Sequence, residues 1–288
     1  FINAHYIDTA TGLTTGSGLG KEVKNPFGGV DGPKRKGVLI DTQTSYALPI
    51  AFHIIDPAVR DKFVSRFVNS VERQSTGDDG KTYPAYSLMT GFIGTAWISQ
   101  ALSEAGHSDV AYRMLLNTNF PSWLYPVEQG ATTIWERLNS YTKKDGFGGN
   151  NSMNSFNHYA FGSVTNWLMQ HSLGIARDES APAFKHFFLQ PEPDVTGGLT
   201  EARGHYDSMY GRIESCWHKT PQGFVYRCTV PANTSATLLL PVTTDAKGRV
   251  VEKVLLDGKP LAKAKKIVTN GKLSIELTAG EYEIEIVK

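Results

Sequence analysis

The stretch Tyr125-Pro-Val-Glu-Gln-Gly-Ala-Thr-Thr-Ile-Trp-Glu-Arg137 places a carboxylate, Glu136, between the indole of Trp135 and the guanidinium of Arg137. A second carboxylate, Glu128, lies on the same connection, and Trp123 and Tyr125 stand near its start. Further on, Asn154-Ser-Phe-Asn-His-Tyr159 adds the amides of Asn154 and Asn157 and the imidazole of His158. Aromatic faces cover the apolar face of a pyranose ring, amides and imidazole bond its hydroxyls, and a carboxylate can move a proton. The mixture suits a carbohydrate. Glu136 is the candidate proton-moving group, and His158, Trp135, Arg137, Trp123, Tyr125, Asn154, Asn157 and Glu128 are candidate substrate contacts. Each also has a bland reading. Glu136 and Arg137 could form a structural ion pair, His158 and Asn154 could cap a helix, and the aromatics could be packing.

A base must be ionised to take a proton from water, and a neighbouring cation favours that form. Arg137 is the obvious cation if its side chain turns the same way as Glu136. On an extended segment neighbours point to opposite sides, so the alternative is that Arg137 anchors the backbone. Trp135 has the same two options, pocket wall or support packed behind the loop.

The elements that must position these residues are helical over 1–180. Ser45 to Ile55 carries Tyr46, Leu48, Ile50, Ala51 and Ile54 near helical spacing, with a kink expected at Pro49. Asp56-Pro57 reads as an N-cap and first helical position. The helix it starts runs to about Arg73, with Phe63, Val64, Phe67, Val68 and Val71 inward. Gly91 to Ala105 is a third helix, closed by Gly106. Ser108 caps a fourth, to about Asn117. Phe156 to Leu173 is a fifth, closed by Gly174 and capped by Asn154. Trp97, Trp167, Trp217, Phe156, Tyr159 and Phe161 are assigned to packing. Helices joined by short turns are antiparallel neighbours, so this is an array of αα-hairpins that could close into a toroid if continued upstream. Three long connections, 9–40, 74–89 and 118–153, interrupt it, and long loops on a rigid scaffold are where sites concentrate.

From Ala183 the pattern turns to β. Phe184–Leu189, Arg212–Trp217, Phe224–Val230, Ser235–Leu240, Val250–Leu256, Lys272–Leu277 and Tyr282–Val287 are strand-like runs, several separated by turns such as Asp257-Gly258 and Asn270-Gly271. That many strands in 181–288 predict a β-sandwich. Pairing Trp217 with Phe224 and Ile213 with Cys228 puts the apolar set on one face and turns Cys216 away from Cys228, so no disulfide is expected.

The chain has 288 residues, 40% apolar and 20% charged, so a packed core is expected and disorder is not. A net charge of +1 without a basic block argues against nucleic acid. No apolar run approaches the roughly 20 residues that cross a bilayer. The eight histidines form no His-x-x-x-His and no Glu-x-x-His pair on a helix, so no metal is expected. No Gly-x-Ser-x-Gly anchors a nucleophilic serine. Gly16-Ser-Gly-Leu-Gly20 has no preceding strand and no following Lys-Ser/Thr, which disfavours a phosphate loop, and no cofactor is implied. The start at Phe1, without an initiator Met or a signal-like apolar stretch, reads as the interior of a longer polypeptide.

Several stretches resemble bacterial α-L-rhamnosidases of glycoside hydrolase family seventy-eight: Asp41-Thr-Gln-Thr-Ser-Tyr-Ala-Leu48, Thr90-Gly-Phe-Ile-Gly-Thr95, Pro121-Ser-Trp123, Gly130-Ala-Thr-Thr-Ile-Trp-Glu-Arg137, Met153-Asn-Ser-Phe-Asn-His-Tyr-Ala-Phe-Gly162 and Ser208-Met-Tyr-Gly-Arg-Ile213. They follow the family's order over 40–287, whereas Gly12–Gly37 departs from its pattern. The resemblance implies part of an all-α (α/α)6 catalytic toroid over 1–180, incomplete here, and a C-terminal antiparallel β-sandwich over 181–288. It implies hydrolysis of terminal α-L-rhamnosides with inversion. Glu136 is then the general base and His158 a rhamnose contact. The general acid belongs to an acidic, Arg-containing segment upstream, so the chain alone is expected to be inactive. The expected partners are the rhamnoside and the missing N-terminal part of the same protein, or a second copy forming a homodimer, because half a toroid leaves helix faces uncovered. The alternatives are another toroid enzyme, a glucosidase or a uronide hydrolase or lyase, and a non-catalytic carbohydrate-binding fragment. Two cysteines do not decide between a cytoplasmic and a periplasmic bacterial compartment.

Overall fold

Two of the helix starts in the first part of the chain follow from local caps. The computed structural model describes all residues except 20–22, 25–29, 32–35, 78, 149–153, 263–266 and 270. Two units divide at Val164/Thr165. In the first, a single turn, α1 (Ile2–His5), precedes α2 (Gln43–Ala51). The Thr42 hydroxyl accepts the Ser45 N–H while the Ser45 hydroxyl accepts the Thr42 N–H, a reciprocal cap that fixes the start of α2. Pro49 lies in its last turn, and the helix stops at Ala51, short of the expected Ile55. In α3 (Pro57–Glu72), the Asp56 carboxylate accepts the Ala58 N–H at 2.9 Å, as the Asp-Pro pair predicts. Phe63, Phe67 and Val71 are fully buried, while Val64 and Val68 are half-exposed.

The helix expected over Gly91–Ala105 is broken into α4 (Gly91–Thr95) and α5 (Ile98–Glu104). At the break the Thr95 hydroxyl donates to the Gly91 carbonyl at 2.6 Å, a side-chain bond that competes with the helical ladder. Ser108 opens α6 (Ser108–Leu115) rather than capping it. Its hydroxyl is bonded to that of Ser103, and His107 occupies the cap position. α2 packs on α3, α5 packs on α6, and α2 packs on α5. Two helical hairpins therefore lie side by side. The short links 52–56 and 105–107 fall at one end, and the long connections 73–90 and 116–159, the latter carrying α7 (Leu124–Glu128), fall at the other. α4 approaches α2 at Gly94, where a Cβ would stand 2.1 Å from Thr44 Oγ1, so only glycine fits. Much of the third expected long connection, 9–40, lies outside the described residues.

The fifth expected helix, Phe156–Leu173, is also corrected. Ala160–Ser163 is 3₁₀, Val164–Trp167 is α (α8), and Leu168–Ser172 is a π turn. Residues 154–159 stay outside it because their backbone is bonded to 134–136 instead.

Among the described residues the second unit holds a sheet of nine strands: β1 (Ile175–Arg177), β2 (His186–Leu189), β3 (Glu201–Ser208), β4 (Gly211–Thr220), β5 (Gly223–Pro241), β6 (Lys253–Leu256), β7 (Lys259–Pro260), β8 (Ile267–Thr269) and β9 (Lys272–Val287). The order is β7-β6-β9-β5-β4-β3, with β8 on β9, β2 on β5 and β1 on β2. Phe224–Val230 and Ser235–Leu240, expected as separate strands, are one long strand, as are the two runs within β9. A register break between Val230 and Ser235 marks where β5 changes neighbours, from β4 to β2. The β2–β5 pairing is parallel, a departure from the all-antiparallel expectation. Both halves of the long strands feed one apolar core, Trp217, Tyr226 and Ile284 from one and Phe187, Leu238 and Ile275 from the other. The sandwich reading thus becomes a single hydrogen-bonded network that encloses its own core. The sequence reading omits β3 because, as a largely exposed edge strand, it shows no apolar alternation.

The hairpin register pairs Trp217 with Tyr226 and Ser215 with Cys228, two residues from the expected pairing. An even shift preserves faces. Cys216 therefore lies opposite Arg227, away from buried Cys228, and both thiols are free.

Asp194 is a buried carboxylate that closes the 190–200 loop. It accepts the Thr196 and Leu199 N–H groups at 2.7 Å each. Burial pushes its carboxyl up, but these bonds outweigh burial and leave it below the ordinary carboxylate value. A depressed folded-state value means that stability is present above the unfolded value and lost as pH falls through the folded one. Asp194→Asn keeps the shape but weakens both bonds. It should cost about 1–3 kcal/mol in urea melts at pH 7, and the difference from wild type should shrink below about pH 4. An equal difference at pH 7 and pH 3 would count against this account.

Candidate active site

The long connections at one end of the helical hairpins are tied to the helices and to each other. The Gln43 side-chain amide donates to the Ser87 carbonyl at 2.9 Å and accepts the Met89 N–H at 2.9 Å. The Thr44 hydroxyl donates to the Thr90 carbonyl at 2.7 Å. The Leu88 N–H reaches the Pro121 carbonyl, and the Asn117 amide reaches the Tyr86 carbonyl. The Asp41-Thr-Gln-Thr-Ser-Tyr stretch is therefore a clamp. Asp41 closes it by pairing with Arg73 at 2.7 Å and accepting the Tyr46 hydroxyl at 2.6 Å.

Within this framework two segments run side by side. The Glu136 N–H donates to the Ser155 carbonyl at 2.8 Å, and the His158 N–H donates to the Ile134 carbonyl at 2.9 Å. The Ser155 N–H returns a bond to Glu136 Oε2 at 2.8 Å. One carboxylate oxygen is thereby fixed by backbone, and Oε1 has no partner among the described residues. Glu136 is half-buried. His158 Nδ1 accepts the Ala160 N–H at 3.4 Å, which leaves Nε2 as the N–H of the neutral ring. The imidazole stacks on Phe92 at 4.7 Å and lies parallel to the ring of Tyr159. Backbone pairing therefore brings an acceptor oxygen and a donor imidazole onto adjoining segments. Such a pair can take a proton from water and bond a hydroxyl.

The other candidates fall into different places. Trp135 is 6% exposed, edge-on to Phe156 and Tyr141. Trp123 is 8% exposed, with Nε1 donating to the Phe161 carbonyl at 2.9 Å. Neither offers an open face to a sugar. Both are largely buried within the connection 116–159. The Arg137 N–H donates to the Ser140 hydroxyl at 3.3 Å, and the Ser140 N–H donates to the Arg137 carbonyl at 3.0 Å. Asn154 does not cap a helix but donates to the Ser140 carbonyl at 3.4 Å. Asn157 is exposed beside His158. Glu128 is exposed at the last residue of α7, and Tyr125 packs edge-on to Phe120. Tyr159, assigned to packing from sequence, is 85% exposed. Phe92 was overlooked as a site residue although its Thr90–Thr95 stretch was singled out. A phenylalanine two residues into a helix gives no hint that it stacks on an imidazole.

Concavities of about 510, 500 and 310 Å³ lie elsewhere. They open on the sheet around Cys216 and Arg227, along α3, and beside Phe120 respectively. Among the described residues no group of three or more His, Cys, Asp or Glu is placed to hold a metal, and no helix is long and apolar enough to cross a membrane.

Residues 1–172 match the family described as the bacterial alpha-L-rhamnosidase 6 hairpin glycosidase domain, and residues 174–255 match the bacterial alpha-L-rhamnosidase C-terminal domain. An alpha-L-rhamnosidase of Streptomyces avermitilis is 37% identical over 201 residues, 70% of this chain and 18% of that protein. One of Formosa agariphila is 34% identical over 246 residues, 85% of this chain and 24% of that protein. The crystal structure of the Streptomyces avermitilis alpha-L-rhamnosidase complexed with L-rhamnose superposes with a TM-score of 0.71 at 33% identity, covering 88% of this chain and 22% of that one. The alpha-L-rhamnosidase from Dictyoglumus thermophilum gives 0.71 at 25% identity, covering 86% and 25%. The chain thus spans about a fifth to a quarter of the length of these relatives.

Proposed function

The chain belongs to the bacterial alpha-L-rhamnosidase family, and from that premise we propose that the complete polypeptide hydrolyses terminal α-L-rhamnosides with inversion, Glu136 acting as general base. The observation that carries this reading is the backbone pairing of the Glu136 and His158 segments: it presents a carboxylate with one oxygen pinned by the Ser155 N–H and, on the paired segment, an imidazole whose Nε2 is a donor. The pinned oxygen orients the group, and the open one takes a proton from water. The water oxygen bonds the anomeric carbon from the face opposite the leaving group. The glycosidic bond breaks, and its oxygen takes a proton from a carboxylic acid. The two carboxyl groups of an inverting glycosidase stand about 6.5–9.5 Å apart so that the water fits between base and sugar. The acid is assigned to a segment upstream of this chain, within an (α/α)6 toroid to which the two helical hairpins contribute. The catalytic domain is assigned to 1–180 and the β domain to 181–288.

Proton NMR of rhamnose released from p-nitrophenyl α-L-rhamnoside tests this directly. The complete polypeptide should give the β-anomer first, whereas the isolated chain, lacking the acid, should give no rhamnose above background. The α-anomer appearing first would exclude inversion, and turnover by the chain alone would exclude an upstream acid.

A further inference from the structure

If His158 bonds a sugar hydroxyl, the direction of its Nε2–H must be fixed, and its own segment fixes little. Nδ1 accepts the Ala160 N–H at 3.4 Å, longer than the usual bond of this kind. The parallel Tyr159 ring is next in sequence and exposed. Both partners travel with the segment that carries His158. The ring that reaches the imidazole from another element is Phe92 of α4, at 4.7 Å with 28° between the planes. Phe92 is itself held from two sides. The largely buried Phe161 ring meets it edge-on at 5.7 Å. Behind it, α4 is fastened to α2 by the Thr44–Thr90 bond and by the close approach at Gly94, and the Thr90 and Thr95 hydroxyls bond each other at 2.7 Å. Gly91, at φ +60°, takes the left-handed turn that leads the chain from Thr90 into Phe92. The helical hairpins thus set the place of Phe92, and Phe92 lies on a side chain of the connection 116–159.

We propose that Phe92 is a positioning residue for His158: the stacked ring holds the imidazole plane so that Nε2–H stays aimed at the bound sugar, and it ties that aim to the helical scaffold through α4. The proposal rests on the rhamnosidase reading for what the N–H bonds, and on the stacked rings alone for what holds it. Ring pairs with centroids about 4.5–7 Å apart attract one another beyond the area they bury. A donor misplaced by roughly 1 Å loses much of its worth to a reaction. Phe92 is 40% exposed, so it adds little burial to the core and its replacement tests aim rather than folding. Leucine at this position keeps an apolar side chain of similar reach but has no flat face to lie on the imidazole.

The test is a double-mutant cycle in the complete polypeptide, read on p-nitrophenyl α-L-rhamnoside. Phe92→Leu should lower kcat/KM about tenfold, while Phe92→Tyr, which keeps the flat face, should stay within about twofold of wild type. His158→Ala should lower kcat/KM by about tenfold or more. Adding Phe92→Leu to His158→Ala should then change the rate less than about twofold, because no imidazole is left to aim. Additive losses would overturn the proposal, since Phe92 would then act on the sugar or the fold directly. Near-normal turnover by Phe92→Leu or by His158→Ala would overturn it too. Crystal structures of the wild-type and Phe92→Leu polypeptides give an answer independent of turnover. A second His158 rotamer, or loss of the Nδ1–Ala160 contact, in the variant supports positioning, and an unchanged imidazole refutes it. Failure of wild type to cleave the rhamnoside would sink the rhamnosidase reading separately, and the two crystal structures would still decide what holds the ring.

Discussion

Glu136→Gln in the complete polypeptide is expected to lower kcat on α-L-rhamnosides on the order of 10²–10⁴-fold with KM nearly unchanged, because the lost step is proton transfer from water in the transition state. The substitution is nearly isosteric. The glutamine carbonyl oxygen can still accept the Ser155 N–H that pins Oε2 in the native protein, so the pairing of 134–136 with 155–158 survives. Unchanged circular dichroism and melting would confirm that the loss is chemical. A base role makes a sharper demand. Azide attacks without shedding a proton, so it should restore part of the rate to Glu136→Ala and release rhamnosyl azide of inverted configuration. Glu128→Gln is the control. Glu128 is exposed at the end of α7 and should lose less than about threefold. Near-normal turnover by Glu136→Gln, or loss of kcat in Glu128→Gln instead, would move the base to the other carboxylate.

The helical pattern, the Asp56 cap and the change to β structure were legible in sequence because each rests on a short-range signal. Glu136 and His158 were legible as residue types in family-like stretches, but their relation was not. It depends on the Glu136–Ser155 and Ile134–His158 backbone bonds, which join residues about twenty apart and leave no periodic trace. The same bonds remove 154–159 from the helix that the apolar spacing predicted. Trp135 and Trp123 show a different limit. An indole has the same composition whether it walls a pocket or floors a loop, and only its neighbours decide. The hairpin register was misjudged by two residues without consequence for Cys216, because faces repeat every two residues.

Trp217→Ala is expected to be the most destabilising single change in the second unit, about 3–5 kcal/mol for the lost ring volume and roughly 1 kcal/mol more for its hydrogen bond. Trp217 is fully buried at the centre of the apolar cluster, and its Nε1 donates to the Ser172 carbonyl at 2.8 Å. Two residues along the same strand face, the Ser215 hydroxyl donates to the Leu173 carbonyl at 2.5 Å. These bonds hold the last carbonyls of the helical segment, whose ladder ends at Gly174. There φ is +75°, and a Cβ would stand 2.2 Å from the Gln190 backbone. Leu173 then fits over Gly204 of β3, where a Cβ would come within 2.4 Å of its methyl. The helix end is thus fastened to the sheet by donors from β4 and by a space left at β3. Trp217→Phe separates the two contributions, since it keeps most of the ring and loses only the N–H, and should cost about half as much. Urea melts followed by far-ultraviolet circular dichroism read both variants through the midpoint at constant m-value. A cost below about 1 kcal/mol for Trp217→Ala would mean that the sheet closes without its central ring, and that the helix end is held by Ser215 and Gly204 instead.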